Sequence, residues 1–458
     1  MIENQQTILG ISFDGLAVSG IVNGFLSFAD VLRADKMRVL LDLGYDITLG
    51  RTKELDRAFF PPWVEPIRCL GDGLPPRYTE ELVIEARSRV IQGTTIPAAK
   101  IYDEICDELA TLMVDTFKRE RVRYILVENG TLPDNPLFTE AVYRAIAQYG
   151  NSEKLGKYVL WRDHDLMWSV EPHLYGPFPY PGVRKPEENE HIEFAVMTEW
   201  MRKRMLAWAP GCTYHIIPNR FLFPALTQPT SASIRAAYGI PEDAYLITRC
   251  TRVVPQKSIE RDLRLIDQLQ RRLSAMSNSR KIFLFVTGPV GEDPEEFDRL
   301  QALAQNLSIA DQVIWADGLL PFHTLLLAPE LKTRSFSIRD ALAESDLNSF
   351  LTTYDYEAFG NPPGEAMAMS VPFISTTYEL YHEVYGSKGA IAPLLAIDRT
   401  SQVDEPMPES FLDWTLQVLV SSDYREQITS RNLEVCQRFF SFEALAKQVE
   451  EIFPGALT

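Results

Sequence analysis

Short apolar runs rich in β-branched residues recur along the chain, each followed by a helix-like segment. In the first half they are Ile8–Phe13, Met37–Leu43, Tyr124–Val127, Tyr158–Trp161 and Tyr214–Ile217. In the second half they are Tyr245–Cys250, Ile282–Gly288, Val313–Ala316, Ser349–Thr353 and Pro372–Thr376. Strands that are apolar throughout, rather than alternating, are buried on both faces, as in parallel sheets covered by helices. The pattern therefore predicts an α/β protein. Between the two sets lies IPNRFLFPALTQPTSASI, rich in proline, serine and threonine, which reads as a linker. It separates a first doubly wound domain, 1–225, from a second, 226–440. The last segment, 441–458, is amphipathic: Phe442, Leu445, Val449, Ile452 and Phe453 suit docking on either domain. Two such domains make a cleft, and open α/β sheets bind ligands at the carboxyl ends of their strands. The chemistry is expected in loops directly after strands.

Composition narrows the classes. At 458 residues the chain is too long for one core, and 46% hydrophobic with 24% charged residues is globular composition. A net charge of −18, from 63 acidic and 45 basic residues, argues against non-specific nucleic-acid binding and gives no pull toward an anionic membrane. No uncharged apolar run approaches the roughly 20 residues of a spanning helix. The start, MIENQQTILGISFDG, has no basic n-region or apolar h-region. Five dispersed cysteines without a CxxC pair suit a reducing compartment and exclude a thiolate zinc cluster. A cytoplasmic location is expected.

Three loops of the second half stand out. In TRCTRVVPQKSIERDLRLI, Arg252 and Lys257 lie five apart between a strand and a helix, where a guanidinium, an ammonium and a helix N-terminus would make an anion site. In VTGP, Gly288 ends a strand and would let a ligand approach the backbone. In YDYEAFGNPPGEAMAMSVPFI, Glu357 and Glu365 stand eight positions apart around a glycine, an asparagine and two prolines. Each has a plainer reading. An isolated Arg–Lys pair is ordinarily solvated, a lone glycine is ordinarily a turn, and Glu120 and Glu128 share the same spacing by chance. Three loops in strand-end register, one of them stiffened by prolines, outweigh those readings.

Over residues 240–400 these motifs resemble the donor-binding half of retaining GT-B glycosyltransferases, the class that contains sucrose synthases and many mannosyl- and glucosyltransferases. The most specific element is the E-x7-E loop enclosing FG-x-P, following R-x4-K. The resemblance implies two Rossmann-like domains and a nucleotide diphosphate sugar as donor, with a UDP- or GDP-sugar expected and neither cofactor nor metal. It implies that Arg252 and Lys257 hold the diphosphate and that Glu365 accepts hydrogen bonds from the ribose hydroxyls. Glu357 would face the sugar, with the backbone amides of Phe359, Gly360 and Asn361 turned toward sugar or phosphate. Two departures stand out: Gly364 where members commonly carry a large apolar residue, and Ser370 where they carry glycine.

The first half supplies the acceptor side. SFDGLAVSGIVNGF lacks the G-x-G-x-x-G fingerprint, and its Gly20, with Ser19 and Ile21, would lie beside the diphosphate in the family. YVLWRDHDLMW places Asp163, His164 and Asp165 after a strand, His164 where the family often has a histidine lining the catalytic cleft. YILVENG likewise ends on Glu128 and Asn129 at the cleft edge, and Arg184 and Lys185 could meet an anionic acceptor, although surface packing suits those two as well. Read literally, DHD could be the metal-binding DxD of the other glycosyltransferase fold, but Arg252 and Lys257 already supply positive charge. The expected reaction moves a hexosyl unit to an acceptor hydroxyl of a small molecule or saccharide, with retention and without a covalent intermediate. A sugar-nucleotide epimerase, a phosphorylase and a silent sugar-nucleotide-binding protein are the alternatives.

Overall fold

The structure is a computed structural model and describes residues 5–12, 20–33, 36–42, 60–71, 73–94, 99–170, 172, 176, 179–180, 183–223, 233–323 and 336–457. The loop 13–19, with Ser19, and half of the expected linker, 224–232, lie outside the described residues. Two compact units emerge: residues 1–220 with 442–458, and residues 221–441.

In the first unit seven parallel strands form one sheet in the order β3-β2-β1-β4-β5-β6-β7. They are β1 Thr7–Ser12, β2 Arg38–Asp42, β3 Val64–Pro66, β4 Val122–Glu128, β5 Val159–Asp163, β6 Ile192–Val196 and β7 Tyr214–Ile216. The apolar runs were the right signal: β1 is buried along its whole length. The run reading omits β6, because Glu193 interrupts it, and β3, a three-residue edge strand ending in proline. Glu193 is tolerated because it pairs with Lys157 at 3.2 Å and with His215 at 2.8 Å. The last helix, Phe442–Ile452, belongs to this unit and packs on the helix Gly20–Arg33. The Phe453 ring packs tilted against Tyr124 with centroids 5.1 Å apart, and Gln448 Nε2 donates to the Ile216 carbonyl at 3.0 Å.

The second unit has six parallel strands in the order β10-β9-β8-β11-β12-β13. These are β8 Tyr245–Arg249, β9 Ile282–Val286, β10 Val313–Trp315, β11 Leu347–Phe350, β12 Phe373–Thr376 and β13 Leu394–Leu395. The helix Ile259–Ala275 turns Ile259, Leu263, Ile266, Leu269 and Leu273 to one side, where they join Ile247, Leu284 and Leu347 in the core. Each such side chain contributes about 1.5–3 kcal/mol by burial. Strand β11 starts two residues earlier than its apolar run, and Thr352 and Thr353 fall in the loop beyond it. That shift matters, because both threonines are used to build the site.

Candidate functional site

In the second unit the β8 loop is anchored before it reaches its cations. Arg249 is fully buried; its Nη1 donates to the Ser349 carbonyl at 3.2 Å and its Nη2 to the Lys257 carbonyl. Its Nε lies 3.4 Å from Asp262, whose carboxylate also accepts from the Ser349 hydroxyl. Thr353 Oγ1 donates to the Gln256 carbonyl at 3.0 Å, and Thr352 Oγ1 lies 3.3 Å from that carbonyl and 3.2 Å from Glu357 Oε1. The turn Pro255–Lys257 is thereby fastened to the end of β11 before Ser258, at φ 50°, opens the following helix.

The two cations sit on this frame. Lys257 Nζ pairs with Glu357 and stands 4.7 Å above the Tyr356 ring. Burial pulls the Lys257 ammonium below its ordinary pKa, and Glu357 opposes that shift. Arg252 donates to Glu292 at 2.7 Å and to the Tyr356 hydroxyl at 2.9 Å. Tyr356, a partner of both cations, is absent from the sequence-derived set although it precedes Glu357 directly.

The β11 loop ends on Gly360 at φ 79°, which begins the helix Asn361–Ala368. A Cβ here would lie 2.7 Å from the Phe350 ring and 2.8 Å from the Tyr378 hydroxyl, so both conformation and space demand glycine. Asn348 Nδ2 donates to the Pro362 carbonyl at 3.1 Å and fixes the first turn. Glu365 is 6% exposed, and among the described residues its carboxylate accepts no hydrogen bond. Burial alone raises its pKa to about 8.

Two glycines are closely packed against neighbouring groups. The space beside Gly288 is filled by the Thr251 carbonyl and the Arg252 backbone, so the missing side chain admits the neighbouring loop. At Gly364 the Phe221 ring occupies the place of a side chain, which accounts for the absent large residue: an aromatic from elsewhere in the unit fills the gap. Phe359 is buried against Tyr385 and Phe440 at 5.7 and 5.8 Å.

In the first unit the strand-end charges meet one another. Glu128 and Arg162 are register partners on β4 and β5. The Glu128 carboxylate accepts from Arg162 Nε at 3.0 Å and Nη2 at 3.2 Å, and lies 2.6 Å from His164 Nε2. Burial would raise its pKa, but Arg162 and His164 outweigh that and leave it lowered. Gly24 makes room for the Arg162 guanidinium and the His164 ring. Asn129, at φ 60°, accepts from the amides of His164 at 2.7 Å and Asp165 at 3.1 Å, and its Nδ2 donates to Asp165 at 3.3 Å. Asp163 accepts from Thr131 Oγ1 at 2.6 Å and its amide at 3.2 Å, and burial raises its pKa to about 7.

Glu128 and Asn129, expected at the cleft edge, are both 1% exposed, inside a satisfied network. Arg184 pairs with Glu140 at 3.2 Å and lies over the Tyr143 ring at 5.0 Å, the packing role. Gly20 is the first residue of the helix Gly20–Arg33, and Ile21 is buried behind it. Among the described residues no group of His, Cys, Asp or Glu side chains is gathered as metal ligands would be, and no helix is long and apolar enough to cross a membrane.

No family model and no curated protein sequence matches the chain. Solved structures do. Sucrose-phosphate synthase from Thermosynechococcus elongatus aligns with a TM-score of 0.63 at 16% identity, over 98% of this chain and 98% of that one. HepE from Anabaena, in complex with UDP-glucose, aligns at 0.60 and 12% identity, over 98% and 99%. WaaG, a glycosyltransferase involved in lipopolysaccharide biosynthesis, aligns at 0.58 and 14%, over 98% and 100%. The chain has a GT-B fold. Both sheets of that GT-B fold are wholly parallel, and the three loops described above follow β8, β9 and β11 of its second unit.

Proposed function

We propose that this protein is a retaining glycosyltransferase that moves a hexosyl unit from a nucleotide diphosphate sugar to an acceptor hydroxyl. The observation that carries the reading is Glu365: a buried carboxylate without a protein partner among the described residues, in the same unit as Lys257 and Arg252. An unpartnered buried carboxylate is costly, and a pair of ribose hydroxyls would satisfy it. In this reading Lys257 and Arg252 neutralise the leaving diphosphate without a metal, and Glu357 exchanges part of its hold on Lys257 for the donor sugar. The catalytic effect is electrostatic stabilisation together with positioning. The structures of HepE with UDP and with UDP-glucose support a UDP-sugar as the first donor to try. Acceptor recognition falls to the first unit, and a small soluble acceptor suits the acidic chain.

The test is thermal stabilisation by UDP, GDP and ADP and their glucose and mannose conjugates, on wild type and Glu365→Ala. A ligand at 100 times its dissociation constant should stabilise the fold by about 2.7 kcal/mol. Stabilisation by one nucleotide class, weakened in Glu365→Ala, is the expected result. No stabilisation by any of them, or equal stabilisation of the variant, would overturn the donor site.

A further inference from the structure

Arg252 and Lys257 carry like charges and converge on one residue of another loop, Tyr356, which meets them by different means. Arg252 Nη2 donates to the Tyr356 hydroxyl at 2.9 Å, while Lys257 Nζ stands 4.7 Å above the Tyr356 ring. Arg252 Nη1 also donates to Glu292 at 2.7 Å, and Lys257 also pairs with Glu357. The cations feel each other: burial is the main cause that holds the Lys257 ammonium below its ordinary pKa, and Arg252 adds to it. With two cations and two carboxylates gathered, a third carboxylate in place of Tyr356 would make the cluster net negative and repel an anion. Tyrosine attracts both cations without adding charge, through a hydroxyl lone pair and a ring face. The two kinds of partner also differ once an anion arrives. Glu292 and Glu357 compete with it for the cations, whereas the neutral tyrosine keeps its hold. Tyr356 is itself on a pinned segment. The Tyr354 carbonyl accepts from the Glu379 amide at 2.8 Å, and Glu357 Oε1 lies 3.2 Å from Thr352 Oγ1.

We propose that Tyr356 is a positioning residue that keeps the Arg252 guanidinium and the Lys257 ammonium convergent while a donor diphosphate displaces their carboxylates. Arg252 Nη2 stays on the Tyr356 hydroxyl, and Nη1 passes from Glu292 to a phosphate oxygen. Lys257 keeps the ring beneath it as Glu357 yields part of its hold. The proposal rests on the reading of the second unit as a nucleotide-sugar site. Tyr356 does not touch the donor; it spares two long side chains the loss of rotamer freedom at the moment of binding.

UMP and UDP, with the corresponding guanosine and adenosine pairs, are titrated calorimetrically into the full-length protein as wild type, Tyr356→Phe and Tyr356→Leu. Melting temperatures are measured in parallel. The ratio of the monophosphate to the diphosphate dissociation constant reads the hold on the second phosphate. Tyr356→Phe keeps the ring and removes the hydroxyl, so the ratio should fall about three- to ten-fold, with the monophosphate constant nearly unchanged. Tyr356→Leu removes the ring face as well and should lower the ratio further. A tyrosine with a purely structural role would lower the melting temperature, or weaken both nucleotides alike, and leave the ratio in place. An unchanged ratio in Tyr356→Phe, or a wild type that binds monophosphate and diphosphate equally, overturns the proposal while the nucleotide site stands. Binding of no nucleotide by wild type overturns the donor site, and the proposal with it.

Discussion

Both units bring charged side chains to the ends of parallel strands, and they settle those charges in opposite ways. In the first, Glu128 receives two bonds from Arg162 and a third contact from His164, Asp163 is held by Thr131, and Asn129 is used on both its oxygen and its nitrogen. In the second, the carboxylate of Glu365 is buried with no partner among the described residues, and the Gly360 amide beside its helix is in the same position. A satisfied network supports the fold and holds its members still. An unsatisfied one costs stability and calls for an explanation, which the proposed donor would supply at Glu365. In the reading proposed above, that difference separates scaffold from site more sharply than residue type does, because glutamate occurs in both.

One substitution, made once in each unit, should break the symmetry of that argument. Glu128→Gln leaves the Arg162 guanidinium buried without its counter-charge, and losing one partner of such a pair costs about 3–5 kcal/mol. Chemical denaturation of the variant should show that loss, and a cost below about 1 kcal/mol would mean that the network is not a scaffold. Glu365→Gln should act with the opposite sign. The Glu365 carboxyl titrates near pH 8 in the fold against an ordinary 4.5, so the unfolded chain ionises first as pH rises. Wild type therefore loses stability between those two values and gains no more penalty above pH 8. The neutral glutamine escapes this, so ligand-free Glu365→Gln should match wild type near pH 4.5 and exceed it by on the order of 2 kcal/mol at pH 8.5. A variant less stable than wild type at pH 8.5 would show that the carboxylate has a partner after all.

The contrast between the units was only half visible in the chain. The paired apolar runs carry the α/β plan because strand burial is a local property, and β1, β8 and β9 follow directly from it. The rigid loop around Gly360 was legible for the same reason, since glycine and proline state their backbone needs locally. What the chain does not display is which side chains meet. Glu128 reads as an acceptor-side candidate and His164 as a catalytic one, but their partner Arg162 faces Glu128 only through strand register, 34 residues away in sequence. Arg249 holds the Lys257 carbonyl and Ser349 at once, and Tyr378 and Tyr385 reach back to Phe359 and Gly360. These supports are ordinary core residues until the fold gives them a task.

The smallest test compares two residues forced into the left-handed region. Asn129 in the first unit has φ 60° and Ser370 in the second has φ 56°. Asn129 recovers the strain, since its side chain caps the amides of His164 and Asp165. Ser370 follows the last turn of the helix Asn361–Ala368, and among the described residues its hydroxyl makes no hydrogen bond. A left-handed conformation costs a residue other than glycine roughly 1–2 kcal/mol, and glycine pays part of that back in unfolded-chain entropy. Ser370→Gly should therefore stabilise the second unit by about 0.5–1 kcal/mol, whereas Asn129→Gly should destabilise the first because two capping bonds are lost. Equal effects of the two substitutions would place the difference in backbone strain alone. Opposite signs would show that the first unit spends its side chains on closing its own polar groups, as the ends of β4 and β5 already imply.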